Sequence, residues 1–207
     1  MYTAQAQNQE VHFGYVAPLC HIKHSEFSED LQVWKGRVIF RGDRVKDERG
    51  LYVVFSELGS SACLMTGIKM LDALARMPGM KGQDRDAKKA YTQADLLGPP
   101  TWIFLPKDQQ PPEWKGKYRS PVVRLRLALY GHPLAGLYWE QHVHNAITEC
   151  GSLPVPDWEC MFYQPYLQLM LGVYVDDFKL AGKEGNLSKG WEMLEKHIDF
   201  RLPDRIR

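Results

Sequence analysis

A chain of 207 residues with 44% hydrophobic content is long enough to bury a core as one large domain or two small ones, and its formal net charge of +1 is informative only in its distribution. Its 4 cysteines are scattered without a Cys-x-x-Cys pair, which argues against a zinc ribbon. No signal peptide and no apolar run of membrane-spanning length is present, so an intracellular, non-secreted protein with reduced thiols is expected.

Residues 1–30 are polar with no clear period and are expected to form a poorly organised leader, with the organised domain over 31–207. Cys20, His21 and His24 lie close together there but lack a fourth ligand, and a loop is the simpler reading than a metal site. From Val33 to Arg41 a period of two places Trp34, Val38 and Phe40 on one face and Lys35, Arg37 and Arg41 on the other. That predicts a strand with an apolar back and a cationic front. Leu64, Ile68, Leu71 and Ala75 recur at helical spacing between Ser60 and Met77, with Ser60 or Ser61 as the expected cap and Pro78-Gly79 as the stop. Trp102–Leu105 reads as a strand, Pro106–Trp114 as a Pro-rich loop, and Ala135–Cys150 as a helix followed by Gly151. Cys160–Tyr163 and Leu167–Val175 supply further strands, and Leu187, Trp191, Leu194 and Ile198 mark an amphipathic last helix. Helices mixed with antiparallel strands, without strict βαβ alternation, predict an α+β fold.

Chemistry concentrates between Leu169 and Gly182. Two adjacent carboxylates, Asp176 and Asp177, interrupt an apolar, β-branched and aromatic run, where unpaired charge is costly. The run reads as a hairpin of two short strands with the pair at its tip. A compact anionic cluster of this kind suits hard divalent cations with oxygen ligands, Mg²⁺ above all. An ordinary acidic turn is the other reading of the pair taken by itself. Two basic stretches accompany it. Lys35, Arg37, Arg41, Arg44 and Lys46 stand against the single acid Asp43, and Lys115, Lys117, Arg119, Arg124 and Arg126 fall in the acid-free stretch Trp114–His132. A polyanion such as template–primer or a nucleoside triphosphate fits both, while a solvated face is the plainer account of either alone.

Three other segments join the hairpin in a recognisable order. Trp34–Gly42 is a basic strand; Asp86-Ala87-Lys88-Lys89-Ala90-Tyr91 leads on to Asp95-Leu96; Leu129-Tyr130-Gly131 precedes the expected helix at Ala135. Taken with Tyr174-Val175-Asp176-Asp177, they make the chain from about Trp34 to Phe200 resemble the reverse transcriptases of copia-type long-terminal-repeat retrotransposons. The resemblance implies a reverse-transcriptase palm with partial fingers, an antiparallel sheet backed by helices, acting as an RNA-directed DNA polymerase. Two Mg²⁺ ions, with Mn²⁺ as a substitute, would be held by Asp86, Asp176 and Asp177 and by the carbonyl of Ala87. Asp84 is the rival for the first position, and Asp95 is a surface acid. Tyr91 would be the aromatic gate beneath the incoming sugar, and the amides of Lys89 and Ala90 would face the triphosphate. Lys35 and Arg37 would clamp its outer phosphates, and Tyr174 would lie against the primer end. The implied partners are an RNA or DNA template with primer, deoxynucleoside triphosphates and other parts of a Pol polyprotein, with no membrane. The implied location is cytoplasmic and particle-associated, or nuclear.

Three departures accompany the matches. His132, Pro133 and Leu134 stand where the family's turn usually reads Leu-Lys-Gln, so Leu134 lacks the polar contacts of the Gln. The strand before Asp86, Lys81-Gly82-Gln83-Asp84-Arg85, is unusually polar. No thumb or RNase H sequence follows, and a fragment of a longer polyprotein is expected. A catalytically inactive nucleic-acid-binding remnant and an unrelated carboxylate metallohydrolase are the alternatives.

Overall fold

The computed structural model describes residues 10–56 and 62–201, and the chain divides into two compact units, neither continuous in sequence. The first unit takes residues 1–57 and 95–135, the second residues 58–94 and 136–207.

The first unit holds a four-stranded sheet of β1 (His12–Lys23), β2 (Val33–Phe40), β4 (Thr101–Phe104) and β5 (Val122–Arg124), in the order β2-β1-β4-β5. β1 pairs antiparallel with β2, Val16 opposite Phe40, and parallel with β4, His12 opposite Thr101. Phe40, Val45 and Ile103 form its core, with Val16, Val53, Phe55, Val123 and Leu129 packed around them. Residues 12–23, expected to lie in a leader, are thus an interior strand of this sheet. The sequence concealed it because only the first part of β1 meets β4; beyond Tyr15 it pairs with β2 alone, and no core imposes an alternating pattern. The same geometry corrects the expected apolar back of β2. Phe40 is buried, but Trp34 is 71% exposed and Val38 is also exposed, because none of the described residues covers that half of the ribbon. Period two reports which residues share a face, not whether the face is buried. Cys20 and His21 are consecutive on β1 and so point to opposite faces, and His24 packs against Phe27 instead.

Gly131 fixes the end of this unit. Its φ is +86°, and a Cβ there would collide with the carbonyl oxygen of Phe40. The Phe40 amide donates to the carbonyl of Tyr130 at 2.7 Å, so the Leu-Tyr-Gly turn docks on the end of β2. His132, buried, lies 5.0 Å from the ring of Phe40 and 5.8 Å from that of Phe55, with Nδ1 accepting from the Leu134 amide at 3.2 Å.

The second unit holds an antiparallel five-stranded sheet in the order β3 (Met80–Asp86), β9 (Asp177–Lys183), β8 (Leu169–Tyr174), β7 (Met161–Gln164), β6 (Leu153–Pro154). Helix α1 (Met65–Leu74) covers one face, where Leu71 packs with Cys63, Met161 and Ala181. Helices α2 (Ala135–Glu149, in this unit from Gly136) and α3 (Leu187–Leu194) cover the other. There His144 meets Phe162, and Gly190 brings α3 onto Leu169 and Leu180. α1 begins at Met65 with Leu64 at its cap position and no side-chain cap bond; Ser60 and Ser61 lie outside the described residues. α2 ends as expected before Gly151, whose φ is +76°. Ile198 is buried, but beyond the end of α3.

The polarity of β3 has a plain cause: it is an edge strand. Lys81 pairs with Glu184 at 3.0 Å, Gln83 accepts from the Trp191 indole at 2.8 Å, and Arg85 pairs with Glu195 while lying over the Trp191 ring at 4.6 Å. Two sheets and three helices among the described residues make the protein mixed α and β, compatible with the α+β class. No helix among these residues is long and apolar enough to cross a membrane.

Candidate active site

Two strand ends of the second unit meet at the site. Asp86, the last residue of β3, stands directly opposite Asp177, the first of β9, and Tyr174, the last of β8, stands opposite Asp177 on its other side. Directly opposed residues share a face, so Tyr174, Asp177 and Asp86 form a row across three strands. The Ala87 amide donates to the carbonyl of Asp176 at 2.7 Å. Asp86 and Asp177 are therefore a pair without mutual backbone bonds, the kind whose Cα atoms approach to about 4.5 Å. Like charges so placed are destabilising. Burial first, and then the charges of Asp176, Asp86 and Asp84, push the Asp177 carboxyl above its ordinary value, with Arg201 acting the other way. Arg201 is the cation of the site: its Nε lies 3.0 Å from Oδ1 of Asp86, and its amide donates to the Asp86 carbonyl at 2.8 Å.

Val175 and Asp176 join β8 to β9 as a two-residue loop. Only the first of them has positive φ, +56° at Val175, the pattern of a type II′ turn that ordinarily takes Gly at this position. A β-branched residue there is strained. Trp139 of α2 holds it by donating its indole Nε1 to the Val175 carbonyl at 2.7 Å. Val175 also borders a cavity of about 70 Å³ shared with Tyr91, Trp139, Val143, Phe162 and Val173.

The segment after β3 is tied down on its far side. Lys88 donates to the Asp199 carbonyl at 2.8 Å, and the Gln93 amide group donates to the carbonyls of Lys88 and Asp199 while accepting from the Asp199 amide. Ala87 pairs with Phe200 in an isolated bridge whose bonds are made by the flanking residues, so its own N–H and C=O face the hairpin. Lys89, exposed, has φ +53° and opens the 3₁₀ turn Ala90–Gln93, in which Ala90 is buried and Tyr91 half-buried. Burial first, and then Asp176, push the Tyr91 hydroxyl up.

The structure thus places Asp86, Ala87, Asp176, Asp177 and Tyr174 at one end of the sheet, with Lys89, Ala90 and Tyr91 on the turn that follows β3. Asp84, two residues further in on the same face, is held with Asp72 of α1 in an ion pair to Lys179, at 2.9 and 2.8 Å. Lys35 and Arg37 belong to the first unit, on one face of β2, with the Arg37 guanidinium over the Tyr130 ring at 5.6 Å. Sequence reasoning gave no role to Trp139, Gln93 or Arg201. For Trp139 a signal existed, since a buried indole N–H needs an acceptor; Arg201 carried none.

No protein-family model matches the chain, and no curated protein matches it. The donors at the strand ends are carboxylate and carbonyl oxygens, the set that a hard divalent cation takes. Among the described residues no group of three or more His, Cys, Asp or Glu side chains is gathered around one point. What is present is an opposed pair with a third carboxylate on the neighbouring turn residue.

Proposed function

We propose that the chain is the fingers-and-palm region of a copia-type retrotransposon reverse transcriptase, an RNA-directed DNA polymerase from the Pol polyprotein of a transposable element. The observation that carries this reading is the meeting of Asp86 and Asp177, from separate segments, at the end of an antiparallel sheet with Asp176 on the adjoining strained turn. An opposed carboxylate pair lowers stability, and a cation-dependent task gives it a reason to be there. Two Mg²⁺ ions at such a set supply activation of a primer 3′-hydroxyl and neutralisation of the leaving pyrophosphate. Asp86, Asp176 and Asp177 would hold them, with the Ala87 carbonyl as a further oxygen. Arg201, with Nε 3.0 Å from Oδ1 of Asp86, would compete with a metal ion for that oxygen. Tyr91 would lie under the incoming sugar, the amides of Lys89 and Ala90 would face the triphosphate, and Tyr174 would rest against the primer end; Lys35 and Arg37 are the phosphate-binding cations proposed within the first unit. The partners are template–primer, deoxynucleoside triphosphates and the rest of the polyprotein.

The Arg201–Asp86 ion pair favours a second reading, an inactive nucleic-acid-binding remnant in which Asp86 is already neutralised. The test is single-nucleotide extension of a primer on an RNA template with Mg²⁺, comparing the native chain with Asp86→Asn and Asp176→Asn. Extension by the native chain that both substitutions abolish supports the polymerase. Folded protein that binds template–primer in a salt-dependent way without extending it supports the remnant. Cleavage of the oligonucleotide in place of extension overturns both in favour of a carboxylate hydrolase.

A further inference from the structure

We infer that the outer edge of β2 docks an extended segment of a partner protein, one that alternates apolar with acidic residues and joins the sheet as an antiparallel strand. β2 is the last strand of its sheet, and among the described residues no strand pairs with its outer side. The Phe40 amide donates away from β1, to the Tyr130 carbonyl, whereas the next amide, that of Arg41, donates to Tyr15 of β1. Outward and inward groups alternate along an antiparallel ladder. The N–H and C=O groups of Trp34, Gly36 and Val38 therefore point outward as those of Phe40 do, a row that a further strand can join.

The side chains at these positions make the edge selective. Trp34 stands opposite Ile22 of β1, Gly36 opposite Cys20 and Val38 opposite Pro18, so all six share one face. Trp34, Val38, Pro18 and Cys20 are exposed on it, and the apolar row runs on to the next pair, Val16 and Phe40. Gly36 interrupts the row, because a Cβ there would meet nothing within 4 Å. The opening between Trp34 and Val38 suits a large flat side chain from an incoming strand, as an aromatic covers a glycine on its neighbour. The free stretch of β1 offers a poorer edge. Pro18, opposite a residue that points outward, has no N–H to give there.

The opposite face carries the charge. Lys35 lies across from His21, Arg37 from Leu19 and Val33 from Lys23. Among the described residues no acid forms an ion pair with Lys23, Lys35 or Arg37. These cations exclude a second copy of β2 as the occupant. Every antiparallel register that overlaps the outward residues of two copies by two or more opposes Lys35 to Arg37, Lys35 to itself or Arg37 to itself. Like charges so placed destabilise a sheet, whereas acids opposite Lys35 and Arg37 make both contacts attractive. The strand that fits reads apolar, acidic, aromatic, acidic, apolar. The polymerase reading uses the same two cations, but the outward backbone groups and the apolar face have no part in it, and the site lies wholly in the first unit.

The test is fluorescence anisotropy of the full chain with a labelled synthetic peptide of blocked termini and the core Val-Glu-Tyr-Glu-Val. Saturable binding is expected. Methylating the amide nitrogens of the two valines and the tyrosine, which face β2, should abolish it; methylating those of the two glutamates, which face away, should leave it intact. Exchanging both glutamates for lysine should weaken binding by roughly two-fold to thirty-fold, the worth of two opposed charge pairs. Lys35→Glu with Arg37→Glu should reverse that preference. Gly36→Val fills the opening and should weaken the tyrosine peptide while sparing one with alanine at its centre. Absence of binding overturns the proposal, as does equal loss from the two methylation patterns or an unchanged affinity in Gly36→Val. So do displacement by an oligonucleotide as effective as by unlabelled peptide, and a dimer of the chain that the peptide splits, which would make a second copy the occupant.

Discussion

The indole Nε1 of Trp139 donates to the carbonyl oxygen of Val175 at 2.7 Å, so a helix residue holds the first position of the turn that presents Asp176 and Asp177. Trp139→Phe keeps an aromatic ring there and leaves that carbonyl without its donor. The expected loss is about 1–3 kcal/mol of folding stability, measured by urea denaturation. If the site binds Mg²⁺, the same variant should also need more Mg²⁺ for half-maximal extension, a change that mere loss of packing would not give. An unaltered Mg²⁺ requirement would reduce Trp139 to a core residue.

Asp177 carries a repulsion that the fold endures. Its carboxyl is raised above 3.8, the ordinary value, so the folded state holds the proton more tightly than the unfolded chain does. The penalty is therefore in force above the raised value and disappears as pH falls through it. Asp177→Asn should be more stable than the native chain at neutral pH and lose that advantage in acid. Asp177 is largely exposed and water screens the charges, so the gain should stay under about 1 kcal/mol. Arg201→Gln should act in the opposite direction at neutral pH, since the guanidinium offsets the repulsion. Denaturation midpoints of the two variants at neutral and acid pH decide the matter; identical midpoints would refute it.

His132 predicts a second pH dependence with a different window. Burial, helped by the nearby His12, lowers it from 6.5 to about 4, so the folded protein keeps it neutral. Between those values the unfolded chain binds a proton that the folded chain refuses. Stability from this group is complete above 6.5 and is lost as pH falls toward about 4, by up to about 3 kcal/mol. In His132→Leu that part of the slope should vanish from a stability-against-pH curve.

Gly131 and Gly50 separate two effects usually confounded. Both have positive φ, +86° and +84°, but a Cβ at Gly50 meets nothing within 4 Å, while one at Gly131 strikes the Phe40 carbonyl. Gly50→Ala should cost about 1–2 kcal/mol, the left-handed penalty alone. Gly131→Ala should cost more, because the turn must also move off the end of β2. Equal thermal shifts would mean that the turn yields freely.

How much of this was legible in the sequence depended on whether a residue's type betrays its burden. Asp176 and Asp177 in an apolar run, and Asp86 ahead of an aromatic, stand out because charge among apolar residues is costly. The strain at Val175 was invisible, since Val is an ordinary strand residue until its φ is known. The polar run 81–85 looked anomalous only because strand position in a sheet is not written locally; at an edge, those side chains find partners in Glu184, Trp191 and Glu195. β1 escaped notice for the complementary reason, being an interior strand whose outer half packs on no core. Arg201 reaches Asp86 from a distant segment, and no local pattern encodes an interaction of that kind.

The chain passes between its two units at residues 57, 94 and 135, and this threading has a consequence for how the protein comes into being. On a ribosome, β1 and β2 emerge first, but β1's parallel partner β4 follows only after a long stretch of the other unit has been made. β3 likewise waits for β9, the strand that completes its pairing and sets Asp177 opposite Asp86. Pairings so distant form late and slowly, and they leave unpaired edges exposed in the interval. No single cut leaves both units whole. A gene rearrangement could therefore not transfer either one as a simple terminal piece without carrying sequence of the other.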